Sequence, residues 1–493
     1  MLNSSTIFSL FALQIATQLV LIVRVVMARR PVTASLAWLA VLILLPVVGI
    51  AVYLLIGENR LGSLRLRRYK ALTKGLEEQA MAMWKHQHAA VGRFDEQWGH
   101  IARFGTAATG LPPLRGNRLS LLNNAEGMLD ALVVDLDAAE SHVHILTYIW
   151  MPGGHATNVA DALIRAAARG VQCRVLVDAV GSKKFLRSAD ADRLRRGGVR
   201  LVAALPANPV RMLFARIDLR NHRKIAVIDG HTAYVGSQNI TDSSFRSTPR
   251  RRTGPWIDAT LRIIGPASQA LAIVFLRDWI LDSREDLHDL RPFLPELPQP
   301  APHAGPADSI AQIIPSGPGG AGGGEPDAIH QALLTTIYSA REELVMTTPY
   351  FVPDEATRMA LQSAAMRGVR VTLVMPSVSD SPLVAAASRS HYLDLLESGV
   401  RILHYHNGLL HAKTITVDRQ IALIGSANLD ARSFWLNFEI TAFIYDDDFA
   451  SQVRFMQADY LAHSTEVELA AWQNRSSLAV FRDNAAQLLG PLL

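Results

Sequence analysis

The pattern His-x-Lys-x4-Asp-x6-Gly-Ser-x-Asn occurs twice in this sequence, at identical spacing. The first copy comprises His222, Lys224, Asp229, Gly236, Ser237 and Asn239; the second comprises His411, Lys413, Asp418, Gly425, Ser426 and Asn428. Six fixed positions at roughly one in fifteen each give a chance match of about one in ten million per start. Two copies in 493 residues therefore mark a duplicated unit. Duplication requires two halves of one architecture that share one chemistry.

The surrounding sequence can be laid out as those halves. Ala160–Arg169 is a helix that stops at Gly170, followed by the strand Cys173–Val180 and a second helix ending near Gly197. In the other half, Ala356–Arg367 stops at Gly368, followed by the strand Val369–Met375 and a helix ending at Gly399. A glycine just past a helix end supplies the left-handed stop. Short apolar strands, Val199–Ala203 and Val400–His404, then lead to each motif. Strands alternating with helices predict an α/β architecture in sandwich layers. Pro- and Gly-rich stretches at 295–308 and 317–324 mark the boundary between the halves, and Ile310–Ile314 between them reads as a strand of the second half.

β-Branched alternation predicts strands over His222–Ile228 and His411–Val417. Residues i and i+2 of a strand share a face, so each His projects with its Lys. Asp229 and Asp418 lie seven residues on from their histidines, an odd offset, and Asp229-Gly230 resembles a tight hairpin turn. Strand geometry therefore favours these aspartates as scaffold over phosphate contacts. Each returning strand ends in Gly-Ser-x-Asn, where glycine permits close backbone approach and the Ser and Asn side chains can donate to oxygen.

Two such halves facing each other offer two imidazoles and two ammoniums to one phosphate. One His can attack phosphorus while the other protonates the leaving alkoxide. The lysines, with Ser237, Asn239, Ser426 and Asn428, can stabilise the non-bridging oxygens. A metal site is disfavoured, since lysine repels cations and the sequence has neither a Cys ligand set nor a His-x3-His pair. A reacting imidazole needs a carboxylate on its other nitrogen. Glu439 follows Asn428 by eleven residues, whereas Asp258 follows Asn239 by nineteen. The difference is an insertion at 244–255 carrying Arg246, Arg250, Arg251 and Arg252, which reads either as a basic lip for anionic headgroups or as a solvated loop.

A net charge of +5 favours anionic partners. The single cysteine, Cys173, excludes an internal disulfide framework, fits a reducing compartment, and reads as a core residue. Apolar runs at about Thr6–Val23 and Ala34–Ile56 reach roughly 27 and 34 Å as helices, near the hydrocarbon thickness of a bilayer. They predict a two-helix membrane hairpin with its turn near Met27–Pro31. Basic residues from Arg60 to Lys74 then place the bulk of the chain in the cytoplasm. Residues 64–94 read as a charged helical connector.

With these residues in hand, the chain resembles the phospholipase D superfamily, whose signature is His-x-Lys-x4-Asp in two copies. More narrowly it resembles the bacterial phospholipase D-type cardiolipin synthases, through RRPVTASLAWL, LLIGENRLG, NHRKIAVIDG, PWIDATLRIIGP, IIPSGPG, TTPYFVPD, LLHAKTITVD and GSANLDARSFWLNFEI. The resemblance implies two phospholipase D-like α/β/α sandwich domains, at 111–294 and 325–493. They follow a membrane hairpin at 1–60 and a connector at 61–110, and are joined by a linker at 295–324.

It also implies transfer of a phosphatidyl group from one phosphatidylglycerol to another, without metal or cofactor, at the bacterial inner membrane. The implied enzyme is a multi-pass protein with cytoplasmic catalytic domains. The catalytic set carried over is His222, Lys224, Asp229, His411, Lys413 and Asp418. His222 becomes the phosphohistidine, His411 the general acid and then base, and Asp258 and Glu439 the residues that orient the imidazoles. His406-Asn407-Gly408 departs from the acidic or Gly-rich stretch of the family. A phospholipase D-type hydrolase, or a transphosphatidylase using another donor or alcohol, shares the first chemical step. Membrane spans argue against a nuclease and so against a nucleic-acid partner. Oligomeric state and headgroup choice are not written in the motifs.

Overall fold

The structure is a computed structural model that describes residues 4–28, 32–57, 97–206, 218–245, 253–283, 291–295, 308–318 and 327–488, with single positions near 75–84, 216 and 285–289. The expected turn at 29–31, nearly all of the connector at 64–94, the arginines of 246–252, and residues 296–307 and 319–326 of the linker lie outside the described residues. The chain divides into two compact units, Met1–Arg65 with Ala207–Leu219, and Leu66–Pro206 with Arg220–Leu493.

In the first unit, helix α1 spans Ser4–Met27. Its stretch Phe8–Met27 is, among the described residues, the one helix long and apolar enough to cross a membrane. Two of its polar residues are satisfied within the helix: the Thr17 hydroxyl donates to the Leu13 carbonyl, and Gln14 donates to Gln18. The second apolar run, expected as one span, is two helices, α2 (Val32–Leu44) and α3 (Pro46–Ile56). Pro46 has no N–H to give the Leu42 carbonyl, and its ring blocks the helix there. Gln18 Nε2 of α1 donates to that carbonyl at 2.8 Å instead. The chain folds back sharply at the break, since a Cβ on Gly49 would lie 2.5 Å from the Val41 carbonyl oxygen.

The second unit is built on one 16-stranded sheet whose two halves repeat the same order. From one edge the first half runs Arg200–Ala204, Gln172–Asp178, His142–Thr147, Ile225–Ile228, Thr232–Gly236, Thr260–Ile264 and Leu114–Leu122. From the other, after the short edge strand Ser464–Glu466, it runs Arg401–Tyr405, Arg370–Pro376, Glu343–Thr347, Thr414–Val417, Ile421–Gly425, Asn437–Tyr445 and Ser309–Ser316. The halves meet where Leu114–Leu122 pairs antiparallel with Ser309–Ser316. The Pro/Gly-rich interval thus holds a strand of the second half, completing its set of seven.

Helices cover both faces, as expected for α/β/α layers. Ala267–Ser283 and Asp447–Ala462 share one apolar core beneath the whole sheet. On the opposite face Ala125–Asp137 and Gly154–Ala168 cover the first half, and Ala328–Ser339 and Glu355–Met366 cover the second. The helix stops expected at Gly170 and Gly368 are present, with φ of 94° and 91°. Helix Gly99–Thr109, at the end of the expected connector, already belongs to the folded body: Gln312 donates to the carbonyls of Ala102 and Leu111.

Candidate active site

The His-x-Lys segments interrupt the strands in which they were expected. Regular pairing begins only at Ile225 and Thr414, while Arg220–Asn221 and Leu409–Leu410 are separate two-residue strands. Those short strands pair across the halves. Arg220–Asn221 lies parallel to Asn437–Phe438, and Leu409–Leu410 lies parallel to Trp256–Ile257. The His222 amide donates to the Phe438 carbonyl and the His411 amide to the Ile257 carbonyl. Each histidine is therefore set by the backbone of the opposite half.

The carboxylates cross in the same way. His222 Nδ1 lies 3.0 Å from both oxygens of Glu439, and His411 Nδ1 lies 2.6 Å from Asp258 Oδ1. Sequence order had associated Asp258 with the first motif and Glu439 with the second. The structure has each reaching the other half's imidazole. Nδ1 is committed to a carboxylate in both rings, which leaves Nε2 as the nitrogen that can meet a ligand.

Ser237 and Ser426, read from sequence as donors to phosphate, are spent on this framework. Ser237 Oγ donates to Asp258 at 2.6 Å and Ser426 Oγ to Glu439 at 2.5 Å. The motif glycines serve neighbouring strands rather than a ligand: a side chain at Gly236 or Gly425 would strike the carbonyl of Ala259 or Ile440. Asn239 accepts from the Ile149 amide and keeps a buried, unpaired Nδ2; Asn428 keeps an unpaired Oδ1. These amides are the motif's remaining polar groups for a ligand.

Asp229 and Asp418 sit at tight turns with φ of 50° and 51°. Asp229 accepts from the amides of Glu140, Ser141 and His142; Asp418 accepts from those of Arg341, Glu342 and Glu343. Both carboxylates are occupied in joining the motif hairpin to the next strand of its own half. They take no part in the cluster of His, Lys and crossed carboxylates.

Burial governs the electrostatics. It pulls His222 down to about 4 despite Glu439 beside it, and it lowers His411 as well. It lowers Lys224 to about 7 and Lys413 to about 8. Burial would raise Asp258, but His411, Lys413 and Ser237 outweigh it and hold that carboxyl near 2; Glu439 is lowered by the corresponding groups around it. His222 feels the charge of Lys413, and His411 that of Lys224. Each Lys Nζ donates to the carbonyl of its own His, at 2.5 and 2.6 Å. The arrangement is two carboxylate-held imidazoles and two buried ammoniums in one place, suited to an anionic phosphate.

Four residues of the site were not singled out from sequence. Tyr148 packs edge-on against His222 and Trp256 against His411. Asn437 donates to Glu439 at 3.1 Å. Arg223, fully buried, bonds the carbonyls of Glu439 and Ser316 and pairs with Asp278 at 2.7 Å. A usable signal existed for two of them, since Trp256 and Asn437 each stand two residues before a carboxylate. Among the described residues no three His, Cys, Asp or Glu side chains converge as a metal ligand set.

Comparison with known proteins agrees with this geometry. The family described as "Cardiolipin synthase, PLD-like domain" matches residues 132–250 and 333–457, and "Phospholipase_D-nuclease N-terminal" matches 17–58. Cardiolipin synthase A of Proteus mirabilis (strain HI4320) is 38% identical over 475 residues, covering 95% of each chain. Cardiolipin synthase A of Serratia proteamaculans (strain 568) is 40% identical, over 92% of this chain and 91% of that one. The crystal structure of phosphatidylserine synthase from Haemophilus influenzae Rd KW20 shares the fold, with a TM-score of 0.58 and 16% identity over 80% of this chain and all of that one. The duplicated motif, the repeated sheet and these relatives lead to one conclusion: the chain belongs to the cardiolipin synthases of the phospholipase D superfamily, enzymes that act on phospholipid.

Proposed function

We propose that the protein transfers a phosphatidyl group from one phosphatidylglycerol to the terminal hydroxyl of a second, giving cardiolipin and glycerol. The crossed pairs His222–Glu439 and His411–Asp258 carry this reading, because they place two oriented imidazoles among two ammoniums. In the first step His222 Nε2 attacks phosphorus, the bond to the glycerol oxygen breaks, and His411 Nε2 supplies that oxygen's proton. In the second, His411 takes the proton of the acceptor's hydroxyl, its oxygen attacks phosphorus, and the phosphorus–nitrogen bond breaks. The lowering of His222 to about 4 supports it as the neutral nucleophile. The incoming phosphate, by its charge, favours the proton on His411. Lys224, Lys413, Asn239 and Asn428 serve the non-bridging oxygens.

In this reading α1 crosses the bilayer, while α2 and α3 form a re-entrant apolar pair. At 13 and 11 residues each reaches only about 20 and 17 Å, short of a full span. Residues 1–23 carry no charged side chain, whereas Arg24, Arg29, Arg30 and the cluster from Arg60 to Lys74 then share one side. The positive-inside rule makes that side cytoplasmic, with the catalytic body. The test of function supplies purified protein with phosphatidylglycerol and chelator. Cardiolipin and glycerol in equal amounts are expected; phosphatidic acid as the only product would make the enzyme a hydrolase.

A further inference from the structure

The last described helix, Ser477–Gln487, is packed with its large apolar residues outward. It buries Asp483 and Ala486 and half-buries Ala479, while Leu478, Phe481 and Leu488 are 77%, 71% and 83% exposed. Positions 478, 481 and 488 fall on one face of a helix, with Ala485 between them. A helix that turns Leu and Phe to water and Ala and Asp to the protein has no apolar partner on that face among the described residues.

Its surroundings say what that partner is. The Asp483 carboxylate is met by three guanidinium groups, those of Arg389 at 3.0 Å, Arg475, and Arg482 at 3.3 Å. One carboxylate against three cations leaves this corner of the body with a surplus of two positive charges; Arg389 and Arg475 meet Asp483 on the packed side, and Arg482, 64% exposed, flanks the apolar stripe. The helix runs antiparallel to Pro382–Ser390, since Asp483 meets Arg389 while Ala486 packs with Ala386 and Ala387. Its C-terminal end therefore lies toward exposed Leu383 and the loop carrying Asp380. Asp380 accepts from the Tyr350 hydroxyl at 2.7 Å, and its charge reaches Lys413 of the site. The C-terminal end of the helix is thus linked, through the loop of Asp380, to the half of the body that carries Lys413.

We propose that this helix face docks on an anionic phospholipid bilayer, with Leu478, Phe481 and Leu488 entering the interface and Arg482 at its flank meeting headgroup phosphates. The contact is set by the helix's own surface, whatever alcohol the enzyme uses as acceptor. Amphipathic interfacial helices combine such an apolar face with basic residues, and their binding depends on anionic lipid.

The full-length protein suits a direct test, because its one native thiol, Cys173, is buried and pushed up to about 12 by that burial. Phe481→Cys would carry an environment-sensitive fluorophore in protein reconstituted into vesicles, with Phe455→Cys as the control. Phe455 is 82% exposed on Asp447–Ala462, a different helix. Spin-labelled lipid is expected to quench the probe at 481 and not at 455, with stronger quenching in phosphatidylglycerol than in phosphatidylcholine vesicles. Equal, weak quenching at both positions overturns the proposal. So does a 481 signal that vanishes on diluting protein within the lipid, which would identify a second copy of the chain as the occupant. The triple variant Leu478→Ser, Phe481→Ser and Leu488→Ser should lose on the order of tenfold in turnover of vesicle lipid. It should keep full turnover of a short-chain, micellar substrate; an equal loss on both overturns the proposal. Transfer to water in place of lipid alcohol would refute the reaction assignment while leaving the quenching result standing.

Discussion

The crossing of the carboxylates can be tested by asking which histidine each one serves. In Glu439→Gln, three donors now shared between two carboxylate oxygens (His222 Nδ1, Ser426 Oγ and Asn437 Nδ2) face one carbonyl oxygen and an amide that is itself a donor. At least one buried donor is left unmatched, at about 1–3 kcal/mol, and the lost charge removes a charge-assisted bond worth about 1.5–3 kcal/mol. Where these fall on the transition state, the rate drops by roughly 10²–10⁴ at 1.36 kcal/mol per decade. Asp258→Asn should cost a similar factor through His411.

The two losses are distinguishable with a phosphatidyl donor whose leaving group is nitrophenolate, which departs without a proton. The initial burst of nitrophenolate then reports nucleophilic attack alone. We expect His411→Ala and Asp258→Asn to keep the burst together, and His222→Ala and Glu439→Gln to lose it together. The pairing is read against the histidine variants, so it does not depend on which imidazole is the nucleophile. If Asp258→Asn behaves as His222→Ala does, the carboxylates act within their own halves and the reasoning fails.

Other consequences are checked separately. Asp229→Ala releases three backbone amides and puts Ala at φ 50°, so it should lower stability by about 2–3 kcal/mol in urea unfolding; full stability with lost turnover would move Asp229 into the chemistry. Burial holds Lys224 and Lys413 at about 7 and 8, so their ammonium forms are complete at lower pH and lost above those values. The pH profile of kcat/KM should accordingly bend down above about 7, and a flat profile to pH 9 would contradict the phosphate-binding role. Asn437→Ala removes one donor from Glu439 and should lower kcat about tenfold with KM unchanged, by single-turnover kinetics. Gln18→Leu strips the Leu42 carbonyl of its partner and should weaken the packing of α1 on α2 by about 1 kcal/mol, seen as a lower unfolding midpoint in detergent.

The parts of this structure that were legible in sequence are those with local causes. Gly170 and Gly368 end helices because only a left-handed residue fits there, and the duplicated spacing announced two halves before any contact was known. The hairpin role of Asp229 followed from an odd strand offset and a following glycine. What escaped was set by distance along the chain. Glu439 stands 217 residues from His222, and 153 separate Asp258 from His411, so nothing near either carboxylate names its partner. The serines were misassigned for a related reason: a hydroxyl beside a phosphate motif looks like a phosphate donor until the buried carboxylate needing it is seen. The break at Pro46 was written in the sequence, but an average over apolar residues does not register a single missing N–H.

In the proposed reaction neither half holds a finished site, which ties activity to completion of both. A chain still on the ribosome has exposed His222 and Lys224 long before Glu439 is synthesised. During that interval the first imidazole has no carboxylate to hold its tautomer and no counterpart to protonate a leaving group. On the proposed mechanism a nascent chain lying against phospholipid would not yet transfer it. Under the proposed mechanism reactivity begins only once Asn437–Tyr445, which carries Glu439, has paired with Arg220–Asn221 of the first half. Order of synthesis would then act as a safety catch on an enzyme whose substrate is phospholipid.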